Sequence, residues 1–178
     1  MFDLLKGLSQ YTMTQPEFVQ LIRDNNGLIL KVCNLYTATV QDRQDLYQEI
    51  VIQLWRAIPK FRHESKLTTW MYRVALNTAI SDYRKQQRAI ATSDLDLFTK
   101  EIADQAEYAD KEEKLKSLYA AISHLPEIEK AIVMLYLEDK SYEEMEDILG
   151  INQNNLRVKM NRIKEKLRQL TKAEAHGT

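Results

Sequence analysis

Cysteine, proline, glycine and histidine are all scarce in this chain: one, three, four and three among 178 residues. The lone thiol, Cys33, excludes an internal disulfide framework and fits a reducing compartment. It lies in the apolar stretch GLILKVCNLY, where a buried structural thiol is expected rather than a reactive one. So few Pro and Gly leave little material for turns, and long helices are the expected result. His63, His124 and His176 are scattered without companions at metal-ligand spacing, so no metal site is expected. There is no glycine-rich phosphate loop, nucleophile elbow or HExxH pattern. Those absences argue against catalysis and against a bound cofactor. No apolar run approaches the roughly 18 residues of a membrane helix. The opening stretch MFDLLKGLSQYTMTQPEF has no apolar core of signal-peptide length. A cytoplasmic protein with no direct membrane insertion is therefore expected.

What the chain does have is segregated charge. Its net charge is −1, which taken whole speaks against a polyanionic partner. Divided along the sequence, the balance changes. Residues 1–60 carry six cations and six anions, and residues 61–90 carry six and two. Residues 91–149 carry six cations and sixteen anions, and residues 150–178 carry seven and two. Two basic blocks are thus separated by an acidic one. Local potential, not total charge, steers a nucleic acid. Two basic blocks predict two contact sites on one nucleic acid, or one on nucleic acid and one on another partner.

Apolar spacing is helical almost everywhere, and no stretch alternates convincingly as a strand. Residues 17–37 give one or two helices with a bend near Asn25–Gly27. Asp42 is placed to cap the next helix, whose apolar stripe is Leu46, Ile50, Val51, Leu54 and Ile58; Pro59 ends it. The polar loop PKFRHESKL precedes a helix from about Thr68 to Gln87. Residues 89–110 are acidic and weakly patterned, and read as a linker. Helical spacing returns at Lys111–His124, and Pro126 opens a further helix reaching Glu138.

Three stretches carry candidate function. The first is SYEEMEDILGINQNNLRVKMNRIKEKLRQL, from Ser141 to Leu170, which reads as a helix-turn-helix. Ser141 and Glu144 have capping-box spacing, Gly150 falls where the chain turns at positive φ, and Asn152 suits the next N-cap. Asn154, Asn155, Arg157, Lys159 and Arg162 share a polar face, backed by Ile151, Leu156, Met160, Ile163 and Leu167. Such a helix either enters a DNA groove or is the solvated surface of a bundle. The second stretch, FRHESKLTTWMYRVALNTAISDYRKQQR, interleaves Phe61, Trp70 and Tyr72 with cations and hydroxyls, as single-strand binding sites do. Trp70 is more readily a core residue that shapes a neighbouring base pocket. The third, DLYQEIVIQLWRAI, has a polar face of Asp45, Gln48, Glu49, Gln53 and Arg56, which is either solvated or a protein-docking surface.

Together these stretches resemble bacterial RNA polymerase sigma factors of the extracytoplasmic-function (ECF) group of the sigma-70 family. DLYQEIVIQLWRAIPKFRHESKLTTWMYRVALNTAISDYRK is similar to the second conserved sigma region. HLPEIEKAIVMLYLEDKSYEEMEDILGINQNNLRVKMNRIKEKLR is similar to the fourth. The resemblance implies an all-α chain of two small helical domains, residues 14–88 and 111–172, joined by a flexible acidic linker at 89–110. Its function would be to bind core RNA polymerase and direct promoter-specific initiation. Asp45, Gln48, Glu49, Gln53 and Arg56 would meet the clamp helices of the polymerase largest subunit. The loop Phe61 to Thr69, with His63, Ser65, Lys66 and Thr68, would receive a base flipped from the melted −10 element. Trp70, Arg73 and Asn77 would line that site, and Arg84 and Lys85 would meet backbone. Asn154, Asn155, Arg157, Val158, Lys159 and Arg162 would read the −35 element in the major groove. The implied partners are core polymerase, double- and single-stranded promoter DNA and an anti-sigma factor; the implied protein is not an enzyme.

Two positions depart from the family pattern. Glu146 stands where a small residue is usual at the helix crossing, so either the crossing is less close or the side chain turns outward. Asn154 and Asn155 replace the commoner small or hydroxyl residues; Asn either pairs bidentately with adenine or only caps the helix or touches phosphate. A duplex-binding repressor or a helical adaptor are the competing readings of the same patterns. Two small domains on a tether are further expected to sample several arrangements.

Overall fold

A computed structural model describes residues 13–92 and 118–175, which are helical apart from short connections and contain no strand. In the first domain, α1 (Gln15–Asp24) starts where Glu17 Oε2 accepts both the Thr14 N–H and its hydroxyl at 2.8 Å. It stops at Asn25, whose side-chain amide donates to the Leu21 carbonyl at 2.9 Å. The break falls within the bend read from the sequence, and α2 (Asn26–Tyr36) follows.

Helix α3 (Val40–Ala57) is capped by Thr39, whose hydroxyl accepts the Asp42 N–H at 3.0 Å. Asp42 therefore sits inside the first turn and is not the cap expected of it. Leu46, Ile50 and Leu54 are buried on its inner face as the stripe predicts. A 3₁₀ turn at Ile58–Lys60 carries Pro59 and ends the helix. Helix α4 (Leu67–Thr92) runs past the expected end at Gln87. Ala89, Ile90 and Ala91 offer no stop signal, so the helix enters the stretch read as linker. Helices α2, α3 and α4 pack together, with Ala75 and Ala79 wholly buried so that the backbones approach closely. Residues 93–117, which hold the rest of that linker and the start of the helix expected from Lys111, lie outside the described residues.

The second domain begins in the described chain with helical residues 118–123 (α5). Helix α6 (Glu127–Leu137) starts after Pro126, α7 (Tyr142–Leu149) is short, and α8 (Gln153–Ala175) is long. Leu156, Met160 and Ile163 of α8 are buried along with Ile132 and Leu135 of α6 and Met145 and Ile148 of α7. At about 25 cal/mol per Å² of apolar surface, burying one such side chain stabilises by about 2 kcal/mol.

The described domains do not hang apart. One continuous core cluster includes residues of both, and α4 packs against α6 and α7. The buried Tyr36 hydroxyl donates to the Glu127 carbonyl at 2.6 Å across the boundary. Lys31 pairs with Glu138 at 2.6 Å, a contact between residues 107 apart in sequence. The described residues of the two domains form one packed arrangement.

Candidate nucleic-acid interface

Helix α3 presents Asp45, Gln48, Glu49 and Arg56 exposed and Gln53 half-buried, on the side away from Leu46, Ile50 and Leu54. Gln41 donates to Asp45 at 3.1 Å and Gln53 to Glu49 at 2.7 Å, which aligns the carboxylates along the helix. Two residues on this face escaped the sequence reading. Ile52 and Trp55 are each 43% exposed, and Trp55 meets Phe18 edge-on at 4.8 Å between centroids. Their signal was positional: Ile52 follows Asp45 by seven residues and Trp55 follows Gln48 by seven, so both join the polar face. An exposed Trp and Ile amid mixed charge are the composition of a protein-docking centre.

The loop between the 3₁₀ turn and α4 is built on an aromatic base. Phe61 is buried, with its ring 5.2 Å from Trp70 and 4.5 Å from His63. Its N–H donates to the Ile58 carbonyl at 3.0 Å, which ties the loop to the preceding turn. His63 stands exposed at φ 56°, in the left-handed region that a non-glycine residue occupies at a cost. Ser65 and Trp70 are half-buried beside it, while Lys66 and Thr68 are exposed. Phe61 and Thr69 are buried, so of the residues named for this loop these two hold its shape and do not present themselves to a ligand. Arg73, Asn77, Arg84 and Lys85 are exposed along α4.

Three of these cations already have oxygen partners from the second domain. Lys66 Nζ lies 3.3 Å from Glu144, Arg73 Nε donates to the Asp147 carbonyl at 2.7 Å, and Arg84 Nε lies 2.8 Å from Glu127. Arg84 holds the Glu127 carboxyl below the usual carboxylate range. The Ser141 backbone N–H, with Lys66 as a lesser contributor, does the same for Glu144. Burial and then the neighbouring Glu138 push the Tyr72 hydroxyl up to about 12, so it stays a neutral donor.

The helix-turn-helix is assembled from short-range contacts. Ser141 Oγ accepts the Glu144 N–H at 3.1 Å, and Glu144 returns to the Ser141 N–H at 3.1 Å. Gly150 closes α7 at φ 68°, its N–H donating to Glu146 at 2.8 Å. Asn152 Oδ1 accepts the Asn155 N–H at 2.9 Å and caps α8. Glu146 is half-buried and accepts the Gln153 amide at 3.0 Å, so a hydrogen bond across the turn accommodates the large residue at the crossing. On α8, Asn154, Asn155, Arg157, Val158 and Arg162 are exposed and Lys159 is half-buried. Arg157 lies 5.1 Å over the Tyr142 ring and donates to Asn154 at 3.3 Å. Two other α8 cations reach partners on α6. Lys166 pairs with Glu129 at 2.8 Å, and Lys164 sits 4.4 Å over the Tyr136 ring. Cations of the basic helix are thus divided: Lys164 and Lys166 brace the fold against α6, while Arg157 and Arg162 stand exposed. Among the described residues no cluster of His, Cys, Asp or Glu is arranged to hold a metal ion, and no helix is long and apolar enough to cross a membrane.

A two-domain helical protein with an outward cationic face on the second helix of a helix-turn-helix belongs to the DNA-binding class. The comparisons narrow it. Residues 21–89 match the family Sigma-70 region 2, and residues 115–167 match Sigma-70, region 4. The ECF RNA polymerase sigma-E factor of Escherichia coli (strain K12) is 32% identical over 148 residues, covering 76% of this chain and 78% of the relative. The RNA polymerase sigma factor SigV of Bacillus subtilis (strain 168) is 26% identical over 163 residues, covering 90% and 95%. The sigma factor RpoE of Bartonella quintana, solved with the anti-sigma factor NepR, shares the fold at a TM-score of 0.73 and 22% identity, covering 87% of this chain and 96% of that one. CnrH, solved with the cytosolic domain of CnrY, does so at 0.65 and 17%, covering 90% of each chain. The chain belongs to the ECF group of the sigma-70 family. It is a sigma factor, and it directs promoter-specific transcription initiation by RNA polymerase.

Proposed function

We propose that the labour is divided between the two domains as follows. The first domain, residues 14–88, docks on the clamp helices of the polymerase largest subunit through Asp45, Gln48, Glu49, Gln53 and Arg56, with Ile52 and Trp55 as its apolar anchors. Its loop captures a base of the −10 element. His63 and Ser65 stand at the mouth, Trp70 forms the wall, and Thr68, Arg73 and Asn77 border it. Lys66, Arg84 and Lys85 neutralise phosphates. Unstacking a base costs a few kcal/mol, and a shaped pocket offsets that cost without nucleotide hydrolysis. The protein is accordingly not an enzyme.

The second domain, residues 111–172, lays α8 in the major groove of the −35 element. Asn154 and Asn155 read base edges, Val158 meets a thymine methyl, and Arg157, Lys159 and Arg162 hold phosphate or guanine. The protein works in the cytoplasm. An anti-sigma factor is its natural regulator, since two relatives with this fold were solved with partner proteins, one of them described as an anti-sigma factor.

The observation that carries this reading is the sorting of charge on α8: Lys164 and Lys166 reach partners on α6, while Arg157 and Arg162 stand exposed beside two exposed Asn residues. Run-off transcription with core polymerase from a related bacterium tests it. Specific initiation should appear only when the protein is added, and should be lost with Asn155→Ala plus Arg162→Ala. Core alone initiating as specifically as the mixture would refute it.

A further inference from the structure

The second domain pairs with cations on one side of the first. Lys66, just before α4, and Arg73 and Arg84 on it are separated by seven and eleven residues, two and three helical turns, so they lie along one side. Asn77 falls on the same face, four residues after Arg73. The whole row spans about 27 Å at 1.5 Å per residue. Along it, oxygen atoms of Glu144, Asp147 and Glu127 meet the three cations at 3.3, 2.7 and 2.8 Å. Carboxylates and a carbonyl thus meet cations of the kind that hold phosphate oxygens. The match has further anchors: Lys31 on Glu138, and Lys140 5.5 Å over the Tyr72 ring. Every one of these second-domain partners lies between Glu127 and Asp147, in the acidic block of the sequence.

The cover is one-sided. Asn154, Asn155, Val158 and Arg162 of α8 remain exposed in the same arrangement.

We propose that the acidic face of α6 and α7 is a docking surface for the cationic face of α4, so that this chain masks its own single-strand site while leaving its duplex-reading helix open. This rests on the −10 assignment proposed above. Its physical logic is competition. Exposed ion pairs are individually weak and screened by salt, so the mask is shallow and yields to a phosphate backbone held in place by polymerase. A free protein in this state engages duplex DNA first and single strands only after the domains part.

The test uses the full-length chain. Zero-length carbodiimide coupling of the free protein, mapped by mass spectrometry, should join Lys66 to Glu144 and Lys31 to Glu138. A labelled mixed-sequence 12-nucleotide single strand then reads the site by fluorescence anisotropy. The variant Glu127→Gln plus Glu144→Gln removes two charges, and the second change keeps the capping box, which accepts glutamine as well as glutamate at that position. It should bind that strand about 3- to 10-fold more tightly than wild type, with unchanged affinity for a 30-base-pair duplex. Single-strand affinity that stays the same in the variant, with no Lys66–Glu144 product, would overturn the mask. The −10 assignment fails separately: Arg84→Ala in the doubly substituted background would then leave single-strand binding unchanged.

Discussion

Gly150 offers the cleanest test of how the helix-turn-helix is specified. It sits at φ 68° and ψ 20°, and its N–H closes α7 on Glu146 at 2.8 Å. A Cβ built there meets no atom within 4 Å. Steric crowding is thus absent, and only the backbone conformation opposes a side chain. The left-handed region costs an L-residue about 1–2 kcal/mol. Ala also loses less entropy on folding than Gly, which returns about 0.4–1 kcal/mol. The net expectation for Gly150→Ala is about 1 kcal/mol of lost stability, and Gly150→Asn should lose less because Asn visits this region more readily. With a urea slope of about 2 kcal/mol/M, the unfolding midpoint should fall by about 0.5 M for Ala. Far-UV circular dichroism of the full-length chain in urea measures it. An unshifted midpoint for Ala, or Asn as costly as Ala, would show that the glycine is there for some reason other than φ.

Other expectations follow from the same contacts. Replacing Arg162 with Ala should lower the log–log salt slope of duplex binding by about 1; Lys166→Ala, which loses a partner on α6, should leave the slope as it was. Ile52→Ala should weaken binding to core polymerase tenfold or more with little change in melting temperature, since the side chain is half exposed. Glu127 and Glu144 have carboxyls lowered in the folded state, so their stabilisation is complete above the ordinary carboxylate range and is lost as pH falls through the folded values. Melting temperature should therefore drop between about pH 5 and pH 3, and the variant with both glutamates changed to glutamine should drop less; equal drops would count against the two pairs. Burial pushes the Cys33 thiol up to about 11, so the native chain should resist iodoacetamide at pH 8 and react once unfolded.

Much of the site was legible because its determinants are local. The Ser141–Glu144 box, the Gly150 turn and the Asn152 cap each act over three or four residues, and all three formed as read. The misread start of α3 was local too. Thr39 and Asp42 are both good cap residues three apart, and composition does not choose between them. The end of α4 was missed for want of a stop: a change to acidic composition marks a boundary only if a breaker accompanies it. Glu146 needed a partner, Gln153, that lies across the turn and carries no pattern of its own. Ile52 and Trp55 were hidden by their chemistry, since apolar residues on a polar face are ordinarily read as core.

Helix content, the helix-turn-helix, the segregated charge and the family all lie in the sequence alone, because periodicity, capping and motif spacing are properties of neighbours along the chain. Which cations are available is not. Arg84 and Arg162 are alike in sequence, each a basic residue on an exposed helix face, yet one is paired with Glu127 and the other stands exposed on α8. That difference depends on where residues 43 positions away come to rest. Only the packing of α6 and α7 against α4 decides it, since an ion pair forms by distance in space and a sequence records none.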